Sequence, residues 1–148
     1  SDHPSAKRSE RPTASPWSES AVLSNAWNSE LTRACTSSAQ ARRFGIWLVG
    51  GTIPLKAQQA DRTRAACLLY NDRGEQVARY DKIHLFDVRL ENGEQYNESA
   101  SIEPGESTLV VSTPFGRLGL AVCYDLRFPE LFRRLLDDGA AALSAGLA

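Results

Sequence analysis

An α/β fold class is predicted for this chain by three observations. Short apolar runs of strand length recur between residues 46 and 144. Two pairs of them flank turn sequences of the hairpin kind. A further feature joins a strand to a helix: Leu118 to Val122 leads through Cys123 into Phe128 to Leu136, with Pro129 in the first helical turn. A missing N–H costs little there.

The elements follow in order. Residues 1–38 hold ten serines and three prolines and show little periodic apolar pattern. Such a composition buries no core readily and reads as a poorly ordered or atypical N-terminal segment, leaving 39–148 as the folded domain. Leu31 to Phe44 reads as a helix ending on Gly45 as its C′ residue. Ile46 to Gly50 is a compact apolar run, read as a strand buried on both faces. Ala65 to Tyr70 and Glu75 to Tyr80 flank Asn71-Asp-Arg-Gly74, a hairpin turn. Cys67 lies in the first of these strands and reads as core. Thr108 to Ser112 and Leu118 to Val122 flank Pro114-Phe-Gly116, a second hairpin. The helix from Phe128 ends near Gly139, and Ala140 to Ser144 begins another strand. No internal repeat is visible.

Composition excludes several function classes. The formal net charge is −1, so no field draws in nucleic acid or an anionic membrane. No apolar run approaches the ~20 residues of a membrane-spanning helix. The three cysteines, at 35, 67 and 123, include no Cys-x-x-Cys pair. An odd, widely spaced set argues against a disulfide framework and for a reducing, cytoplasmic compartment. The two histidines, His3 and His84, form no cluster with metal-ligand spacing.

Cys123 is the residue that carries chemistry. It sits at a strand-to-helix turn, which pushes a side chain out at the end of a sheet and aims backbone N–H groups at what reacts there. A nucleophilic thiol is useful at that point; a small buried apolar residue is the alternative. A thiol attacks a carbonyl or nitrile carbon well only as thiolate. A nearby ammonium lowers its pKa and stabilises the oxyanion formed on attack. Lys82 is the candidate for that ammonium; a lysine placed after a strand otherwise reads as surface, and the resemblance of Tyr80-Asp-Lys-Ile-His-Leu-Phe86 to a family motif decides for the ammonium. His84, two residues on, is a second-rank candidate base, weighed against a histidine hydrogen-bonded near the site. Arg127 has two readings, a partner for a substrate carboxylate or a pair with Asp125 or Glu130 that holds the turn. The second is favoured.

The segment Arg79-Tyr-Asp-Lys82-Ile-His-Leu-Phe-Asp87, followed 36 residues later by Cys123-Tyr-Asp-Leu-Arg-Phe-Pro-Glu130, resembles the carbon–nitrogen hydrolase (nitrilase) superfamily. Gly45 to Pro54 and the stretch Tyr96-Asn-Glu98-Ser, then Pro104-Gly105, resemble the segments that flank the lysine motif. The resemblance runs over roughly Ala39 to Ala148, and the Asp-Leu-Arg-Phe-Pro-Glu-Leu run favours the Nit-type amidase branch over nitrilases and N-carbamoyl amide hydrolases.

The resemblance implies the central part of a four-layer αββα sandwich, with N-terminal and C-terminal elements missing. It implies hydrolysis of a small linear amide to acid and ammonia through a cysteinyl thioester on Cys123, with no cofactor and no metal. Lys82 and the Tyr124 backbone N–H would hold the oxyanion. Glu98 matches the second glutamate of the family, which positions the lysine. The general base would be an upstream glutamate in a Pro-Glu context at the end of a strand. By count Glu10 falls there, but Arg8-Ser-Glu10-Arg-Pro12 is neither apolar nor strand-like. A homodimer is implied as well. The rival reading is a catalytically inactive fragment of the family, with the nucleophile and no working base.

Overall fold

The computed structural model describes residues 33–146. Glu10 and Leu31, the first residue of the predicted helix, lie outside the described residues. Helix α1 occupies the described residues 33–44 and so spans the boundary expected after residue 38. Its stop follows the prediction: Gly45 takes φ +62°, a conformation cheap only for glycine. The Gly45 N–H then donates to the Arg42 carbonyl (3.4 Å) and the Ile46 N–H to the Ala41 carbonyl (3.0 Å). This paired closure is the Schellman pattern.

Strands β1 (Leu48–Lys56), β2 (Thr63–Tyr70) and β3 (Gln76–Asp81) form one antiparallel sheet in that order. The predicted strand at Ile46 to Gly50 needs correction. Because the Ile46 N–H closes α1, the strand starts only at Leu48, and Ile46 is 43% exposed. β1 then runs on to Lys56 through an irregularity between Gly50 and Ile53. It is a half-buried edge strand, not one covered on both faces. A two-stranded ribbon follows, β4 (Asp87–Arg89) with β5 (Gln95–Asn97). A second sheet has the order β6 (Val110–Thr113), β7 (Gly116–Val122), β8 (Ala142–Gly146). β6 and β7 form the expected hairpin. β7 and β8 are parallel, so the chain needs a crossover between them. Helix α2 (Pro129–Asp137) supplies it, with Pro129 in its first turn.

Alternation along the two central strands assembles the layers. On β2, Ala66, Leu68 and Tyr70 pack with Ala41 and Ala34 of α1. Cys67 and Leu69 point the other way and meet Leu118, Leu120 and Val122 of β7. On the far side of β7, Ala121 packs with Leu131 and Leu135 of α2. The described residues therefore stack as α1, first sheet, second sheet, α2. This is an αββα arrangement, and the fold class read from the sequence is the one observed. No helix among the described residues is long and apolar enough to cross a membrane.

Candidate active site

Lys82 follows the last residue of β3. Its N–H still donates to the Ala65 carbonyl (2.9 Å), so the backbone stays in register with β2 while the side chain turns inward, 2% exposed. A buried ammonium needs acceptors. The Lys82 Nζ finds both carboxylate oxygens of Glu98, at 2.8 and 2.6 Å. Glu98 opens a short 3-10 turn, Glu98–Ala100, directly after β5. The β4–β5 ribbon leaves and returns at this spot, and the Phe86 N–H donates to Glu98 Oε2 (2.6 Å). The ribbon thus brings a carboxylate sixteen residues downstream back onto the lysine.

The second half of the site is the turn after β7. Cys123 takes φ +46°, a left-handed conformation uncommon for a residue with a Cβ. Such a residue stores on the order of 1–3 kcal/mol and persists only where its surroundings hold it. Asp125 does the holding. It is fully buried, and its Oδ2 accepts the Val122 N–H (2.9 Å) and the Tyr80 O–H (2.7 Å). Its Oδ1 accepts the His84 N–H (3.0 Å) and faces His84 Nδ1 (2.7 Å). The His84 ring stacks on Phe128, with centroids 3.7 Å apart and planes at 9°. Tyr124 sets its edge against Phe128 and Phe86. Burial, reinforced by the bond to Asp125, drives the Tyr80 phenol far above its ordinary range, so it stays a donor.

One carboxylate therefore binds the cysteine turn to Tyr80 and to His84, the residues two places either side of Lys82. That ties the Lys82 segment to the Cys123 turn at one end of the two facing sheets. Cys123 is half-buried and packs against the inter-sheet cluster. Cys67 lies inside that cluster, and burial pushes its thiol up to about 11. Cys35 is exposed on α1.

Of the residues singled out by sequence, Lys82 and Glu98 are in direct contact, and Cys123 and the Tyr124 backbone share the adjoining turn. His84 Nδ1 is committed to Asp125. Arg127 requires a correction. It is exposed and pairs with neither Asp125 nor Glu130 among the described residues. Asp125 is already filled by four donors from other groups, and Glu130 faces Arg133. Sequence reasoning missed Asp125 and Tyr80. The available signal was local: a carboxylate two residues past the cysteine reaches back to a backbone N–H as capping residues do. Among the described residues no group of three or more His, Cys, Asp or Glu converges as a metal site.

Comparison with known proteins gives one consistent answer. The sequence profile of the family described as carbon–nitrogen hydrolase matches residues 12–147. The deaminated glutathione amidase of Yersinia enterocolitica is 46% identical over 106 residues, covering 70% of this chain and 37% of that protein. The omega-amidase NIT3 of Saccharomyces cerevisiae is 39% identical over 103 residues, covering 70% of this chain and 35% of its own length. This chain thus spans little more than a third of the curated relatives it matches. Among solved structures, the C. elegans NitFhit protein superposes with a TM-score of 0.79 at 31% identity, over 89% of this chain and 32% of that one.

Proposed function

The chain belongs to the carbon–nitrogen hydrolase family, and on that premise we propose that it carries the nucleophile of an amidase that converts a small linear amide to acid and ammonia. The observation that carries this reading is the buried Lys82–Glu98 pair, joined through Asp125 to the turn of Cys123. The Cys123 thiolate attacks the amide carbonyl, and the negative charge that moves to oxygen is held by the Lys82 ammonium and the Tyr124 backbone N–H. Glu98 holds that ammonium in place through both of its carboxylate oxygens. The tetrahedral adduct expels ammonia, which takes a proton from the general acid, and leaves a thioester on Cys123. Water, activated by the same group as base, then cleaves the thioester to the acid and restores the thiol. Glu10 remains the sequence candidate for that acid and base. The reaction needs no metal or cofactor. A homodimer in the cytoplasm is part of the same proposal.

Arg127 extends the reading to the acyl group. Its guanidinium is exposed and without an ion-pair partner among the described residues, four positions past Cys123. A substrate carboxylate suits it. The names of the relatives, an omega-amidase and a deaminated glutathione amidase, agree with an amide whose far end is an acid.

Competitive alkylation with peptide mapping tests the nucleophile. Cys123 is expected to label faster than exposed Cys35 at neutral pH, and buried Cys67 slowest of the three. Labelling of Cys123 at the rate of Cys35, unchanged by Lys82→Met, overturns the reading. Where turnover is measurable, Cys123→Ala abolishes ammonia release. Arg127→Gln raises KM for a carboxylate-bearing amide and leaves that for a neutral one unchanged.

A further inference from the structure

Behind Lys82 lies an ion cluster that the proposed reaction does not use. Arg64, near the start of β2, reaches two carboxylates on different segments. Its Nη1 meets Asp81 Oδ2 at 3.3 Å, and its Nε donates to Glu103 Oε1 at 3.0 Å, with Nη2 donating to the same oxygen. Asp81 immediately precedes Lys82, and Glu103 lies five residues past Glu98. One guanidinium therefore spans the two segments that carry the lysine and its partner. The backbone repeats the link. The Thr63 N–H donates to the Ser101 carbonyl (2.9 Å), the Glu103 N–H to the Thr63 carbonyl (2.7 Å), and the Gly105 N–H to the Lys82 carbonyl (2.8 Å). The last approach is so close that a Cβ on Gly105 would overlap the Asp81 carbonyl. The Gln59 N–H fills the other oxygen of Glu103 at 3.1 Å.

Stability alone does not call for such a cluster, since a partly buried ion network gains little over apolar packing of the same volume. Orientation does. A planar guanidinium with fixed donors holds two carboxylates in a defined relation, which a flexible ammonium does not. We propose that Arg64, with Glu103 and Asp81, is a positioning device that sets the Lys82–Glu98 pair and through it the charge presented to Cys123. The inference rests on the reading of Lys82 as the group that activates Cys123. It adds Arg64 and Glu103 as residues that act through the lysine and touch no substrate.

The test is the pH dependence of iodoacetamide alkylation at Cys123, mapped by peptide, in the full chain and in Lys82→Met, Glu103→Gln and Arg64→Lys. Glu103→Gln is decisive because two effects have opposite signs. Removing a negative charge near a thiol by itself lowers the thiol pKa and speeds labelling. Releasing the clamp lets Lys82 drift and slows labelling at neutral pH, by about threefold. We expect slower labelling, with Cys67 still protected. Arg64→Lys keeps the charge and loses the fork, so it is expected to slow labelling by the same order. Labelling of Cys67 in Glu103→Gln would report unfolding, and Arg64→Lys then decides. If Lys82→Met slows Cys123 while neither Glu103→Gln nor Arg64→Lys does, the positioning role is wrong and the lysine reading stands. If Lys82→Met changes nothing, both fall.

Discussion

The β2–β3 hairpin carries an ion pair at each end, alike in chemistry and opposite in setting. At the turn, Arg73 and Glu75 meet at 2.8 Å with side chains 72% and 58% exposed. At the open end, Lys82 and Glu98 meet at 2.6 Å with the lysine side chain 1% exposed. Distance does not separate the two; water does. An exposed pair gains little over its separately hydrated partners and is screened by salt. A buried pair has given up hydration that only its partner replaces. The exposed pair decorates a turn that already has its shape. The buried pair keeps a charge in a low-dielectric surrounding, and the proposed function has that charge act on the Cys123 thiol.

The largest effect should come from breaking the buried end. Glu98→Ala leaves the Lys82 ammonium with no carboxylate, and removing one partner of a buried pair costs about 3–5 kcal/mol. The urea midpoint should fall steeply. Glu98→Gln keeps an acceptor oxygen for Nζ and the Phe86 N–H and should lose less. If Glu98→Ala proved as mild as a surface change, burial would not be what distinguishes the two ends.

The sequence exposed one of these ends more fully than the other. Asn71 to Gly74 between two strand-length runs is a local signal, and the hairpin it announces is there. The helix stop at Gly45 and the strand, cysteine turn and helix after Leu118 were legible for the same reason. Cys123 was picked out by its strand-to-helix turn, whereas Lys82 and Glu98 rested on the family resemblance, since nothing in their spacing alone brings the three together. The β4–β5 ribbon was not foreseen. Asp-Val-Arg and Gln-Tyr-Asn hold one apolar residue each, too short for alternation to show, and the ribbon is shaped by backbone pairing and by Glu98 at its foot. The Arg64–Glu103 pair was invisible because its partners are 39 residues apart and each looks like surface charge by itself. Asp125 was passed over because three of its four donors come from the Tyr80–His84 segment, more than forty residues upstream.

Acid should sharpen the contrast at an intermediate scale. The Arg64 guanidinium and then the Gln59 N–H hold the Glu103 carboxyl below its ordinary value of 4.5. The Ser99 N–H and hydroxyl hold Asp87 below 3.8. A carboxyl with a folded pKa below its unfolded one binds protons more readily in the unfolded chain. Its contribution is complete above the ordinary value and is lost as pH falls through the lowered folded value. Thermal midpoints should therefore hold near neutrality and drop on the acid side of pH 4.5. Glu103→Gln should start lower and fall less across that window. Parallel acid limbs for parent and variant would show that Glu103 is not among the groups whose protonation unfolds the chain.

The smallest effect belongs to the exposed end. Arg73 holds Glu75 through Nε and Nη2, and together with the Asn71 amide lowers its carboxyl pKa. The turn has other supports. Asn71 Oδ1 accepts the N–H groups of both Arg73 and Glu75 at 3.0 Å, the Asn71 N–H donates to the Glu75 carbonyl, and Gly74 supplies φ +77°. These bonds close the hairpin without the ion pair. Arg73→Ala should leave the unfolding midpoint where it was, and any residual shift should vanish at about 1 M salt, where the screening length is about 3 Å. Asn71→Ala, which removes the acceptor of two backbone N–H groups and the amide donor to Glu75 at a buried position, should lower it measurably, by roughly 0.5–1.5 kcal/mol per bond lost. If Arg73→Ala instead destabilised the chain at low and high salt alike, the exposed pair would be holding the strands in register. The two ends of the hairpin would then differ in function but not in the work their charges do for the fold.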